Sequence, residues 1–347
     1  MYTTFHRPTV ITPSQLDAWL EKGWFRIGAT MMWCRLILFN GTLRSTVWTR
    51  LDMADWSPRK SQRKLMRRVE RDYDVTIEPF EWVGEAHEDI WTRYRAAVRG
   101  ERPATAREAL FGHGGGQLFK TWQVTMRRHG ALVGWSWFDV GASAVQSVLA
   151  AYDPRHADDS LGYATLLFEI EWARSRGFRY HYAGYVMPGE PAMDYKHRVG
   201  ALEFLDERDQ WRPWSTFDPN ALPSDRLNQQ LRAVEQGLTA RGVPATVRTY
   251  EMYEAAALNP ELAGYLADPL ILTIEPRQRP TRSLVVTWRA PGGPFRLLQC
   301  TPTPGYLRTG TADNASVRPV ELLLPARLLF ETNHVDDLLV RAEQAMR

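Results

Sequence analysis

Seven cations stand at helical spacing early in the chain: Arg59, Lys60, Arg63, Lys64, Arg67, Arg68 and Arg71. On a helix, positions 59/63/67/71 and 60/64/68 form adjacent rows, so one broad face is positive. Such a face can neutralise several phosphates and make binding salt-dependent. The competing reading is a solvated surface helix in an arginine-rich chain. A second group joins Tyr182-Ala183-Gly184-Tyr185 to Met193-Asp194-Tyr195-Lys196, placing aromatic hydroxyls, a carboxylate and a cation near one strand end. Open α/β sheets form their sites at such ends. Otherwise the aromatics are core and Lys196 is solvated. A third runs from Tyr152-Asp153-Pro154 to Ser160-Leu161-Gly162, with Ser160 as the cap of a helix and Asp158 and Asp159 before its positive end. Gly112-His113-Gly114-Gly115-Gly116 looks like an esterase oxyanion stretch but lacks the G-x-S-x-G elbow that chemistry needs, and neither nucleotide-binding glycine motif is present; it reads as a loop.

The chain around these groups is ordinary in bulk. It has 347 residues, 44% hydrophobic and 24% charged, which suits two or three domains and excludes wholesale disorder. Its longest clean apolar runs, such as Leu36-Ile37-Leu38-Phe39, are too short to span a bilayer, and the first residues carry no apolar segment after a positive start. The expectation is a cytoplasmic protein without a membrane partner. Cys34 and Cys300 are the two cysteines and cannot build a cysteine-rich metal site, so a metal-free protein without cofactor is expected. The net charge of +3 is uneven: residues 1–100 hold 16 Lys and Arg against 12 Asp and Glu. That charge alone is weak evidence for a nucleic-acid partner.

The elements that position the three groups follow from periodicity and turn chemistry. Thr12-Pro13-Ser14-Gln15 starts a helix that ends before Gly23. Residues 24–51 suggest strands with a turn at Asn40-Gly41, and the basic helix runs from Ser57-Pro58 to about Tyr73. Helices are expected over 86–99 and 105–111, strands over 117–128, 131–139 and 143–152, a helix over Ser160–Arg176 stopped by Gly177, and a strand over 178–185. Three antiparallel strands, a helix and a returning parallel strand make a mixed α/β sheet of the N-acyltransferase type. After a Pro-rich link, helices near 223–240 and 324–345 flank strands at 282–289 and 295–300. The expected domains are an N-terminal α+β module over 1–75, the acyltransferase domain over 76–218 and an α+β domain of open role over 219–347.

In acyl-coenzyme A acetyltransferases the corresponding helix start cradles a pyrophosphate. Here Asp159-Ser160-Leu161-Gly162-Tyr163-Ala164 stands there, and the acidic pair would repel one. The chain instead resembles the arginyl-tRNA–protein transferase family, including its bacterial leucyltransferase branch. The matching segments are Leu20 to Gly28, Ser57 to Lys64, Tyr152-Asp153-Pro154, Ser160-Leu161-Gly162, and Gly184-Tyr185 through Met193-Asp194-Tyr195-Lys196. The resemblance covers about residues 12–214. It implies transfer of an aminoacyl group from a tRNA to an amine of a protein, peptide or small molecule, with amide formation. It further implies a proton acceptor or ammonium anchor at Asp153, Tyr185 and Tyr195 orienting the aminoacyl group, and Lys196 holding the terminal ribose or phosphate. Tyr152, Ser160, Tyr182, Met193 and Asp194 would line the aminoacyl or acceptor pocket, and Arg59, Lys60, Arg63, Lys64, Arg67 and Arg68 would bind tRNA. The family's N-terminal cysteine cluster is reduced to Cys34, so no iron–sulfur cluster or zinc is expected. The alternatives are an acyl-coenzyme A N-acyltransferase and a non-catalytic tRNA- or peptide-binding relative.

Overall fold

The computed structural model describes residues 2–98, 102–112, 115–274, 282–289, 292–309 and 316–346. The chain divides into two compact units, one of residues 6–33 and 46–217, the other of residues 1–5, 34–45 and 218–347. Of the glycine stretch, His113 and Gly114 lie outside the described residues.

The first unit is built on an eight-stranded mixed sheet. Its strands are β1 (Val47–Asp52), β2 (Asp74–Pro79), β3 (Thr121–Arg128), β4 (Ala131–Val140), β5 (Ala144–Tyr152), β6 (Tyr180–Val186), β7 (Leu202–Leu205) and β8 (Trp211–Pro213), in the order β8-β7-β1-β6-β5-β4-β3-β2. β3, β4 and β5 are antiparallel, and β5 pairs with β6 in parallel, as strand–strand–strand–helix–strand patterning requires. His129 and Gly130 close the β3–β4 hairpin at φ 51° and 80°, the left-handed turn that matches strand twist. β1, β7 and β8 extend the sheet beyond β6, and β2 adds an edge to β3; sequence patterning had not paired these strands with the four central ones.

Helices cover both faces. α2 (Lys60–Asp72) and α5 (Leu161–Ser175) lie on one face, where Met66 and Val69 meet Leu166, Leu167, Ile170 and the sheet residues Val124, Phe138 and Val145. α5 is buried almost all round because α2 covers its outer side. α3 (Glu85–Ala97) and α4 (Ala106–Phe111) pack on the other face through Ile90, Trp91, Leu110 and Phe111 against Trp135 and Trp137. α1 (Pro13–Glu21) starts with a reciprocal cap: Gln15 N donates to Thr12 Oγ1 at 3.2 Å, and Thr12 N donates to Gln15 Oε1 at 2.8 Å.

The second unit holds a five-stranded antiparallel sheet of β9 (Ala245–Thr249), β10 (Leu270–Ile274), β11 (Ser283–Trp288), β12 (Phe295–Thr309) and β13 (Ser316–Thr332), in that order. α6 (Pro223–Ala240) and α7 (Val335–Met346) bury Leu227, Leu231, Val234 and Leu238 with Leu338 and Leu339. A side chain at Gly237 would meet Leu339 Cδ1 at 2.6 Å, so these helices cross on a glycine. The sequence expectation of a helix from 324 is corrected here: β13 continues to Thr332, and the helix begins at Val335. Pro325 fits because β13 is an edge strand, where a missing N–H interrupts no second ladder.

One buried ion pair ties the first unit together. Arg26 and Asp139 are 4% and 0% exposed, with Arg26 Nη1 2.8 Å from Asp139 Oδ1. Arg26 also donates to Gly28 O, Thr121 Oγ1 and Leu110 O, at 2.6, 3.2 and 2.6 Å, so a hairpin over 25–34, β3, β4 and the end of α4 meet at one guanidinium. Removing one partner of such a pair strands the other charge in the core. Asp139→Asn is therefore expected to destabilise the protein by about 3–5 kcal/mol in urea unfolding at pH 7; a change below about 1 kcal/mol would show the pair to be dispensable.

Candidate active site

β5 and β6 pair over only three positions, Ala144↔Tyr180, Val145↔His181 and Gln146↔Tyr182, and then part, while β5 continues to Tyr152 and β6 to Val186. A bulge between Ser147 and Leu149 in the β4–β5 ladder turns β5 at this point. On the β6 arm the register against β1 shifts between His181 and Gly184. Gly184 sits at φ +89°, a backbone angle that calls for glycine, and a Cβ there would stand 3.1 Å from Lys196 Nζ. Lys196, on a 3₁₀ turn over Pro191–Arg198, packs against the β6 arm and donates to Tyr185 O at 2.8 Å. It is 8% exposed, and burial pushes its ammonium down to about 8.

Several of the residues expected in the site converge here. The Lys196 ammonium lies 5.6 Å from the Tyr185 ring centre, and Tyr185 rests against Phe25 at 4.8 Å. Tyr195, 37% exposed, has no hydrogen-bond partner for its hydroxyl among the described residues. Its pKa is pushed up, first by the protein packed around it and then by Tyr94 and Glu169. Tyr152 stacks edge-on against Tyr94 at 5.3 Å, and its Cε1 lies 3.2 Å from where a Gly162 Cβ would be. Met193 is half-buried and Asp194 exposed on the Lys196 turn.

Asp153 and Tyr182 have different surroundings. Asp153 is 1% exposed and caps the turn before α5 by accepting from Arg155 N at 3.0 Å. Arg155 Nη2 lies 2.6 Å from its Oδ2 and Arg93 Nε 3.1 Å, and the Arg155 guanidinium holds the carboxyl down to about 2. A carboxylate so held is a weak proton acceptor; its geometry suits an anchor. Tyr182, 1% exposed, stacks on Trp48 at 5.7 Å and meets Trp211 edge-on at 5.8 Å, inside an aromatic group that also holds the Arg50 guanidinium 4.1 Å from Trp211.

A second concavity opens beside α2. Arg59, Lys64 and Arg68 line a cavity of about 380 Å³ together with Arg198, Ser160 and Tyr163. Arg59 is the N-cap of α2, whereas Lys60, Arg63 and Arg67 are exposed and do not line this cavity. Ser160 takes φ 58° and makes no side-chain cap, so the start of α5 faces the cavity. Asp159 is turned aside: Tyr73 donates to its Oδ2 at 2.5 Å, and His156 Nδ1 lies 3.5 Å away. Of the acidic pair, Asp158 remains exposed, and neither carboxylate lines the cavity, whose lining is cationic.

Three residues at the parting escaped the sequence reading. Glu169 of α5 is 2% exposed, accepts from Ser147 Oγ, and lies 3.4 Å from His181 Nε2. The available signal was a carboxylate in the middle of a helix whose other inward side chains are apolar.

Among the described residues no group of three or more His, Cys, Asp or Glu could hold a metal ion, and no helix is long and apolar enough to cross a membrane. The family described as arginine-tRNA-protein transferase, C terminus, matches residues 86–206. An aspartate/glutamate leucyltransferase of Stenotrophomonas maltophilia is 32% identical over 192 residues, covering 50% of this chain and 70% of that protein. Proteins of the same description from Ruegeria pomeroyi and Acinetobacter baumannii are 29% and 27% identical, covering 54% and 65% of this chain and 70% and 79% of theirs. Among solved structures, that of L-PGS from Bacillus licheniformis matches at 13% identity and TM-score 0.32, over 43% of this chain and 49% of that one. The protein is a transferase. The chain belongs to the aminoacyl-tRNA–protein transferase family.

The buried Lys196 has a consequence for stability. Its folded value of about 8 lies below its ordinary 10.5, so between these the unfolded chain binds more protons. The lysine's penalty therefore shrinks, and stability rises, as pH climbs from about 8 to about 10.5, by on the order of 3 kcal/mol. Lys196→Met is expected to be the more stable protein at pH 7 and to lose that gain in urea unfolding series; parallel pH curves would contradict the burial.

Proposed function

We propose that this chain carries an aminoacyl group from the 3′ end of a tRNA to an acceptor amine, in a sheet of the N-acyltransferase type. The observation that carries the reading is the parting of two parallel strands around a desolvated lysine, in a unit that also holds a cationic cavity at the start of α5. The cavity suits a phosphodiester, which Arg59, Lys64, Arg68 and Arg198 would neutralise while α5 presents its unbonded N–H groups. The exposed Lys60, Arg63 and Arg67 extend the same charge along α2 for the rest of the tRNA.

In the parting, the acceptor nitrogen attacks the ester carbonyl carbon; the new C–N bond forms as the bond to the terminal ribose oxygen breaks. Lys196 keeps two N–H groups beyond the one given to Tyr185, and these would steady the oxygen on which charge develops or the ribose that leaves. Tyr185 and Tyr195 would orient the aminoacyl group, with Tyr152, Met193 and Asp194 around it. Tyr182 would brace the β6 arm from behind, and Asp153 would fix the turn that aims Ser160 and α5. Ester-to-amide transfer runs downhill and calls on no redox group, which goes with a reaction needing neither metal nor cofactor and with a cytoplasmic setting. The relatives' description points to leucine as the cargo and to acceptors beginning with aspartate or glutamate. Residues 219–347 would form a domain added to the transferase core.

A coenzyme A donor is the second reading, favoured by the cationic lining at the start of α5, which would take a pyrophosphate equally well. The test is transfer from tRNAs charged with radiolabelled amino acids to peptides of varied N-terminus, beside an acetyl-coenzyme A arm. Label moving from one charged tRNA into an amide is expected; transfer from acetyl-coenzyme A alone would overturn the reading. Exchanging both Lys64 and Arg68 for Glu is expected to weaken tRNA binding at least tenfold and to lower the slope of log affinity against log salt by about 1.4–1.8. An unchanged slope would remove the cavity from the tRNA path.

A further inference from the structure

Glu169 is a buried ionisable group for which the transfer reaction, as outlined, has no use. It sits in the middle of α5 among Leu166, Leu167, Ile170 and Ala173, all at most 5% exposed. Putting a carboxylate there is costly unless it is paired, and among the described residues no Arg or Lys is ion-paired with it. Its two partners are both at the parting: the Ser147 hydroxyl, which donates to Oε2, and His181, whose Nε2 lies 3.4 Å from the same oxygen and 3.4 Å from Ser147 Oγ. His181 is fully buried, and its Nδ1 has no partner among the described residues. The hydrogen bond of His181 Nε2 is the one to Ser147 Oγ, and the imidazole lies beside the Glu169 carboxylate without bonding it. Ser147 is different from both: it is half-buried, and it is the residue immediately after the last β5–β6 pair, Gln146↔Tyr182. Of the two, Ser147 keeps some exposure and Glu169, at 2%, keeps almost none.

We propose that Ser147 and Glu169 form the proton relay of the transfer, with His181 positioning the Ser147 hydroxyl. The proposal rests on the transfer reading above. As the acceptor nitrogen forms its bond to the ester carbon, its N–H proton passes to Ser147 Oγ, and the Ser147 proton passes to the Glu169 carboxylate. When the bond to the ribose oxygen breaks, the proton returns through Ser147 to that oxygen, leaving Glu169 ionised as it began. Every proton taken from the amine is delivered to the leaving hydroxyl, and no co-reactant is consumed. Ser147 is then a catalytic residue, and Glu169 and His181 are positioning residues acting through it.

The full chain tests this with four proteins: wild type, Ser147→Ala, Ser147→Thr and Glu169→Gln. Transfer from the charged tRNA is measured to a peptide amine and to hydroxylamine, a nucleophile uncharged at neutral pH that has little need of a base. For the peptide, Ser147→Ala and Glu169→Gln are expected to lose about 10²–10⁴-fold in kcat with KM for the tRNA within about twofold. Ser147→Thr, which keeps the hydroxyl, stays within about tenfold, and Glu169→Gln keeps hydroxylamine transfer within about threefold. Peptide transfer within about threefold of wild type in Ser147→Ala and Glu169→Gln would overturn the relay. Equal loss of peptide and hydroxylamine transfer, with a lowered Tm or lost tRNA binding, would make the group structural and overturn it too. A wild-type protein that moves no aminoacyl group to either acceptor would instead sink the transfer reading, and the relay with it.

Discussion

Two parallel strands that pair for three residues and then separate impose the constraint on which the rest of the site depends. Past Gln146 and Tyr182 the facing backbone groups of β5 and β6 lose their ladder partners, and buried polar groups need others. The bulge at Ser147–Leu149 swings β5 away, the shift between His181 and Gly184 re-registers β6 on β1, and the Lys196 ammonium takes the Tyr185 carbonyl. Each device is local, yet together they keep the two strands unpaired toward their ends, where α/β sheets place their ligands. Gly184 ends the register shift on β6, and its φ of +89° is one that glycine takes without strain.

The charges of the unit are sorted in the same spirit. Asp139 is spent on Arg26, Asp153 on Arg155 and Arg93, and Asp159 on Tyr73 and His156. Asp153 and Asp159 are thus engaged by other side chains, Asp158 is exposed, and the cavity lining itself carries Arg59, Lys64, Arg68 and Arg198 and no carboxylate. Acidic residues next to a helix start do not by themselves make the surface there acidic; the direction each side chain takes decides it. Tyr73, at the end of the basic helix, turns Asp159 away, and that contact joins residues 86 positions apart.

How far sequence alone reached follows from the range of the interactions involved. β3, β4, β5, α5 and β6 were legible because they are consecutive, with a left-handed hairpin turn at His129-Gly130 and a glycine stop at Gly177. The grouping of Tyr185, Tyr195 and Lys196 was legible too, since all lie within a dozen residues of one strand end. The pairing of β1 with β6, across more than a hundred residues, leaves no local mark, and neither does the partnership of Arg198 with α2. The stretch from Leu322 to Phe330 carries leucines at spacings that suit a helix as well as a strand. Pairing with β12 settles it as strand, and Pro325 is tolerated because no strand pairs along the outer side. Glu169 was visible as a misfit in an apolar helix, but Ser147 and His181, which give the misfit its meaning, lie on two other elements.

The ionisable groups of the parting are finally set apart by environment, not by type. Asp153 meets two guanidinium groups and stays a carboxylate down to about 2, whereas Lys196 loses water without gaining a carboxylate and falls to about 8. Around neutral pH the first cannot usefully take a proton and the second still carries one, so Lys196 is fitted to donate. An amine attacking an ester in this gap must nevertheless release a proton. Asp194 is exposed on the Lys196 turn, whereas Glu169 is a buried carboxylate beside the parting that accepts from the half-buried Ser147 hydroxyl. Burial denies it water as a competing partner, and the Ser147 hydroxyl that donates to it is itself bonded to His181, which is what a base acting through one intermediate oxygen requires.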